Sequence, residues 1–197
     1  QKGDKIATIS HNRPEWNFID MGMAMTGIVH VPVFTSLNSD EYKFILEHSD
    51  ARMLIVSDKK LFRCIKPALS GIEHKIDVYS FDEIEGIKSW TDIIDAGKMS
   101  AAENRQKVEE IKKTINPDDF ASLIYTSGTT GRPKGVILTH RNMVSNFLAA
   151  AEIFKLKPEN KYLSILPLCH VGGRLGNYQT QYSGTSIYYA ENMGTIA

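Results

Sequence analysis

Acidic residues are missing from one long stretch of this chain: none occurs from position 120 to 151, although Asp and Glu number 23 elsewhere. Net charge is missing as well, because Lys and Arg also number 23. A chain with no overall field has no global attraction for nucleic acid or an anionic membrane. Cysteine is scarce, with Cys64 and Cys169 the two examples. That excludes a disulfide framework and the paired spacing of a zinc site, and predicts reduced thiols and a cytoplasmic protein. No long hydrophobic run is present. The most apolar segment, 21–34, is too short for a bilayer and is broken by Thr26, His30 and Pro32. The polar start, Gln1-Lys2-Gly3-Asp4, leads straight toward a strand and predicts no secretory leader.

What is present is an alternation of strand and helix patterns. Residues 5–10 read as a strand. Pro14 then stands where a first helical turn tolerates proline, with Trp16, Ile19 and Met23 at helical spacing and Gly27 as the stop. Residues 28–34 are a β-branched run in which Pro32 predicts an edge or a bulge. A second helix opens at Ser39-Asp40-Glu41, strands follow at 52–56 and 76–81, and a helix is expected between them at 61–69. The pattern predicts an α/β fold, layered, with a largely parallel sheet and flanking helices. It weakens over 82–116, where 90–96 fits one or two helical turns. Residues 101–115 read as a charged surface helix or an excursion between two halves of the sheet. Strands return at 120–126, 136–139, 162–166 and 185–189, and a helix is expected at 143–154 with Val144, Phe147, Leu148 and Ala151 on one face. The organisation expected is a first αβ portion, 1–116, and a second, 117–197.

The chemistry concentrates in the string Tyr125-Thr126-Ser127-Gly128-Thr129-Thr130-Gly131-Arg132-Pro133-Lys134-Gly135. Glycines let backbone N–H groups turn toward an anion with no Cβ in the way. The hydroxyls of Thr126, Ser127, Thr129 and Thr130 can donate to phosphate oxygens. Lys134 adds a point charge, and with Arg132 and Arg141 it makes three positives in the acid-free stretch. This is not the Walker pattern, which needs Gly-Lys followed by Ser or Thr opening a helix. Pro133 precedes Lys134, Gly135 follows it, and a strand comes next.

Position by position, the string resembles the signature of the adenylate-forming (AMP-binding) superfamily. Two more segments are similar to the long-chain fatty acyl-CoA synthetase branch: Asn12-Arg13-Pro14-Glu15-Trp16, and Leu166-Pro167-Leu168-Cys169-His170 followed by Tyr182-Ser183-Gly184 and 187–191. The resemblance implies activation of a fatty acid carboxylate by ATP to an acyl-adenylate, then transfer to coenzyme A, with Mg2+ assisting. It implies ATP-phosphate binding by Thr126, Ser127, Gly128, Thr129, Thr130, Gly131 and Lys134. His170 is placed beside the acyl and adenylate pocket, either lining it or held as a structural histidine. His11, His30, His48 and His74 show no partner at useful spacing and are expected to be structural or surface residues, while His140 either caps the helix that follows it, the favoured reading, or assists the loop.

The chain departs from the family pattern at Val171-Gly172-Gly173-Arg174, where long-chain members have a bulky residue and then Glu before this Arg. That leaves open the pocket wall and any ion pair of Arg174. The later family motifs, which include the magnesium-binding Glu, the ribose-binding Asp and the C-terminal Lys that drives adenylation, find no match in 197 residues. The expectation is a piece of a larger fatty acid–CoA ligase, inactive alone, without a complete catalytic set or metal site. It could contact a membrane peripherally in its parent or self-associate through faces left uncovered. A non-catalytic nucleotide-binding or interaction module, and an adenylation domain with another acceptor, stay open as alternatives.

Overall fold

The computed structural model describes residues 1–126 and 132–190. The chain opens with β1 (Lys5–Ile9), α1 (Pro14–Thr26), β2 (Val29–Val33), α2 (Ser39–His48), β3 (Ala51–Val56), α3 (Lys59–Leu69) and β4 (Asp77–Ser80). A two-residue strand β5 (Lys88–Ser89) leads into α4 (Trp90–Met99) and α5 (Ala101–Thr114). Then come β6 (Phe120–Thr126), β7 (Lys134–Thr139), α6 (His140–Phe154), β8 (Lys161–Ser164), α7 (Val171–Tyr182) and β9 (Ser186–Tyr189).

Strands β1 to β7 form one seven-stranded sheet in the order β5-β4-β3-β1-β2-β6-β7, while β8 and β9 form a two-stranded sheet. Every pair in the large sheet is parallel except β6 with β7, which run antiparallel as a hairpin. Helices flank the sheet, and its central strand β2 is buried along its whole length. Ala7, Ile9, Val31, Val33, Leu54 and Val56 are all buried in a core with Tyr42, Ile45 and Leu46 of α2 and Ile65 of α3. The exposed α5 carries the chain from the β5 edge across to β6, so it is both the expected surface helix and the expected excursion.

Local chemistry explains the element ends. Pro14 opens α1, and Gly27 closes it in the left-handed region at φ 66°, its N–H bonded to the Met23 carbonyl. Asn38, one residue earlier than the sequence suggests, caps α2 in a reciprocal box with Glu41.

Four expectations need correction. β2 lies inside the sheet between β1 and β6, although Pro32 suggests an edge. It is tolerated because the register to β6 is made at His30↔Ser122, two residues before the proline. The strand expected at 136–139 begins earlier, at Lys134, which is in register with Thr126. Thr139, not His140, caps α6, in a box with Asn142. Helix α7, unrecognised because Gly172-Gly173 reads as a breaker, forms a βαβ crossover between β8 and β9. A Cβ on Gly173 would lie 2.4 Å from the Pro167 carbonyl oxygen, so glycine is what lets that carbonyl sit over the first turn of α7.

Candidate functional site

Parallel strands deliver their carboxyl ends to one edge, where open α/β sheets bind ligands. Thr126 ends β6 at that edge and is exposed. Ser127, Gly128, Thr129, Thr130 and Gly131 lie outside the described residues. The chain resumes with exposed Arg132, then Pro133 and exposed Lys134. A cleft of about 360 Å³ opens here, lined by Phe34, Tyr125, Thr126, Pro133, His170 and Val171 among others. The structure thus brings Thr126 and His170 into one cleft, while Lys134, which follows the lining residue Pro133 and pairs with Thr126, is not among its lining residues.

His170 is the N-cap of α7, and its Nδ1 accepts the Gly172 N–H at 3.1 Å. A neutral imidazole accepting at Nδ1 carries its proton on Nε2, which is then a donor. Its ring stands edge-on to Phe34, with centroids 6.3 Å apart. Burial pushes the Tyr125 hydroxyl up to about 12, so it stays a neutral donor and bonds His48 Nδ1 at 2.7 Å. That bond ties the end of β6 to α2.

Arg141 does not join the phosphate charges. Its guanidinium forks onto Asp118, at 2.7 and 3.0 Å. It follows Thr139, which pairs with Phe120 at the opposite end of the hairpin from Thr126. The acid-free stretch therefore offers two positives near the string, Arg132 and Lys134, rather than three.

A buried polar network that sequence spacing did not indicate joins α7 to α1, β2 and β6. Arg174 on α7 donates to Asp20 Oδ1 on α1 at 2.5 Å, to Ser122 Oγ on β6 at 2.6 Å and to the Tyr178 hydroxyl at 2.9 Å. Tyr178 donates onward to Asp20 Oδ2 at 2.5 Å. His30 Nδ1 meets Asp20 Oδ1 at 2.6 Å, and its Nε2 meets Thr8 Oγ1 at 2.7 Å. The Asp20 carboxylate can only accept, so the His30 proton lies on Nδ1; Nε2 of the neutral ring then accepts from the Thr8 hydroxyl, which itself accepts from Trp16 Nε1.

Burial alone would raise the Asp20 carboxyl, but Arg174, His30 and Tyr178 outweigh it and hold the group below the usual carboxylate range. Burial lowers His30, with Asp20 opposing, so the imidazole is neutral near pH 7. The Arg174 ion pair that the double glycine put in question is made, with Asp20 as its partner. Asp20 carries the one signal that could have revealed this: it sits with Trp16 and Met23 on the buried face of α1, where a carboxylate needs a cation.

Residues 1–195 match the family described as AMP-binding enzyme, and the chain belongs to that family. It is 30% identical over 206 residues to long chain acyl-CoA synthetase 6, peroxisomal, of Arabidopsis thaliana, covering 97% of this chain and 28% of that protein. It is 30% identical over 196 residues to long-chain-fatty-acid–CoA ligase 1 of Homo sapiens, covering 89% of this chain and 27% of that one. The chain thus spans under a third of the length of these relatives. The same fold occurs in the inhibitor-bound N-terminal domain of FACL13 from Mycobacterium tuberculosis, with TM-score 0.73 and 22% identity over 98% of this chain and 45% of that one. ATP-bound MatB from Rhodopseudomonas palustris shares it too, with TM-score 0.73 and 21% identity over 98% of this chain and 36% of that one.

Proposed function

We propose that this chain is the phosphate-binding part of an ATP-dependent long-chain fatty acid–CoA ligase. In the whole protein a fatty acid carboxylate attacks the α-phosphate of ATP, pyrophosphate leaves, and coenzyme A accepts the acyl group. The observation that carries the reading is the Tyr125–Gly135 string at the carboxyl end of β6, beside the cleft that Thr126 shares with His170. Its support is the likeness to proteins named long-chain acyl-CoA synthetases and fatty-acid–CoA ligases.

The residue roles belong to the same proposal. Thr126, Ser127, Gly128, Thr129, Thr130 and Gly131 hold the β- and γ-phosphates through hydroxyls and backbone N–H groups, and Lys134 adds charge. One well-placed donor to developing charge is worth about 3–4 kcal/mol. His170 lines the acyl and adenylate side. Mg2+ supplies charge neutralisation at the phosphates. Its protein ligands are assigned to other parts of the polypeptide, on the family resemblance. The 1–116 portion supplies most of the sheet and the 117–197 portion carries the phosphate string.

We place the protein in the cytoplasm with peripheral membrane contact. No helix among the described residues is long and apolar enough to cross a membrane. Exposed Val136, Ile137, Leu163 and Leu166 are the surfaces through which the chain alone would self-associate.

Lys134→Ala in the full-length protein tests the assignment. Fatty-acid-dependent ATP–pyrophosphate exchange should fall about tenfold to a hundredfold, equivalent to roughly 1.4–2.8 kcal/mol. An unchanged rate removes Lys134 from the mechanism. A second reading keeps the adenylation and changes the acceptor. It is favoured by 30% identity over 196 residues to long-chain-fatty-acid–[acyl-carrier-protein] ligase AEE15, chloroplastic, of Arabidopsis thaliana. Supplying coenzyme A and an acyl carrier protein in parallel reactions separates the two.

A further inference from the structure

The segment Asn12-Arg13-Pro14-Glu15-Trp16 takes no part in the phosphate site, yet its first residue reaches the strap that carries His170. Asn12 follows β1, at the carboxyl edge of the large sheet. Its amide nitrogen donates to the Leu166 carbonyl at 2.8 Å and lies 3.2 Å from Ser164 Oγ and 3.4 Å from the Ser164 carbonyl. Its Oδ1 accepts the Leu168 N–H at 3.0 Å. One side chain thereby holds both carbonyls and an N–H of a segment more than 150 positions away. A carboxamide suits this task because it presents donors and an acceptor on one planar group. Alanine would supply neither, and aspartate would aim a carboxylate oxygen at carbonyl oxygens.

The strap runs from the end of β8 to the N-cap of α7. Leu168 and Cys169, within the strap, are buried at 1% and 4% exposure. The Pro167 carbonyl accepts the His170 N–H at 2.9 Å. Gly173 admits the Leu166 and Pro167 carbonyls over the first helical turn. What Asn12 fixes at one end of the strap is therefore delivered at the other end as the position of His170 in the cleft with Thr126.

We infer that Asn12 is a positioning residue for adenylation: it sets the strap against the large sheet so that His170 shares one cleft with Thr126. The inference rests on the ligase reading for its functional half. Asn12→Asp, isosteric with the native side chain, tests it in the full-length protein through two readouts. Modification of Cys169 by N-ethylmaleimide, mapped by peptide mass, should rise about tenfold while the far-ultraviolet spectrum is kept, because local opening of the strap exposes the thiol. Fatty-acid-dependent ATP–pyrophosphate exchange should lose about tenfold to a hundredfold in kcat, the scale expected when a remote change misplaces the site by about 1 Å. That loss should shrink relative to wild type as pH is lowered and the new carboxyl regains a proton to donate. Asn12→Ser carries the same two readouts if N12D does not fold.

Cys169 reactivity unchanged in the variants overturns the inference, and so does a more reactive Cys169 with unchanged exchange. A wild-type protein without fatty-acid-dependent exchange sinks the ligase reading instead, and the Cys169 result still decides whether Asn12 holds the strap.

Discussion

Arg174→Met is the substitution whose cost follows most directly from the geometry. Arg174 is 4% exposed and its partner Asp20 1% exposed. Methionine matches much of the arginine stem, so the chief change is loss of the guanidinium. Ser122 Oγ keeps its bond to the His30 carbonyl, at 2.8 Å, and is not orphaned. Asp20 keeps His30 and Tyr178 but loses its only full positive partner in the network. Breaking one side of a buried ion pair costs about 3–5 kcal/mol, and the two remaining donors put this case near the lower end, about 3 kcal/mol. Adding Asp20→Asn should recover part of the loss, with a coupling of about 0.5–3 kcal/mol for groups in direct contact. The assay is urea unfolding followed by Trp16 fluorescence in a Trp90→Phe background, since the Arg174 guanidinium lies 5.6 Å from the Trp16 ring. A loss below about 1 kcal/mol, with no coupling to Asp20, would refute the claim that this pair anchors α7.

Three further outcomes follow from the same structure. Gly173→Ala puts a methyl 2.4 Å from the Pro167 carbonyl oxygen, and should cost about 1–3 kcal/mol in denaturant unfolding, as overpacking does. Stability should fall as pH drops below about 6.5, by up to about 1.4 kcal/mol per pH unit for one proton. The sign comes from His30: burial lowers its folded pKa, so below the ordinary histidine value the unfolded chain takes a proton that the folded chain refuses. Asp20, also lowered, adds a further loss beginning below the ordinary carboxylate value. His30→Gln should flatten the slope between pH 6.5 and 5, as read from denaturation midpoints at stepped pH. Finally, Arg141→Ala should leave ATP affinity of the full-length protein within about twofold of wild type, while Lys134→Ala weakens it. Isothermal titration distinguishes them, and equal weakening by both would return Arg141 to the phosphate site.

Local chemistry made much of this fold legible. Pro14 and Gly27 bracket α1 because one tolerates a missing N–H and the other adopts positive φ cheaply. The 120–126 strand was readable to its ends, since its apolar run stops where the polar string begins. What escaped depends on partners far along the chain. Gly172-Gly173 has poor helix propensity, yet the Pro167 carbonyl occupies the space that the glycine at 173 leaves in the first turn of α7. Pro32 reads as an edge signal, yet whether a strand is central depends on where its second neighbour stops pairing. Asp20 and Arg174 lie 154 positions apart, a distance at which no periodicity operates. Arg141 is the instructive case at the site, because its counter-ion Asp118 stands just outside the acid-free stretch. Charge counted along the chain placed Arg141 with the phosphate string, and the antiparallel hairpin carries it to the other end.

The central claim is that the Thr126–Lys134 string serves a phosphate site in a fatty-acid-activating enzyme. Its most direct test is ATP–pyrophosphate exchange by the full-length protein with long-chain fatty acids supplied one at a time. The account predicts exchange that requires both ATP and a fatty acid and that amino acids do not support. ATP binding without exchange for any fatty acid would contradict it and leave a nucleotide-binding module in its place.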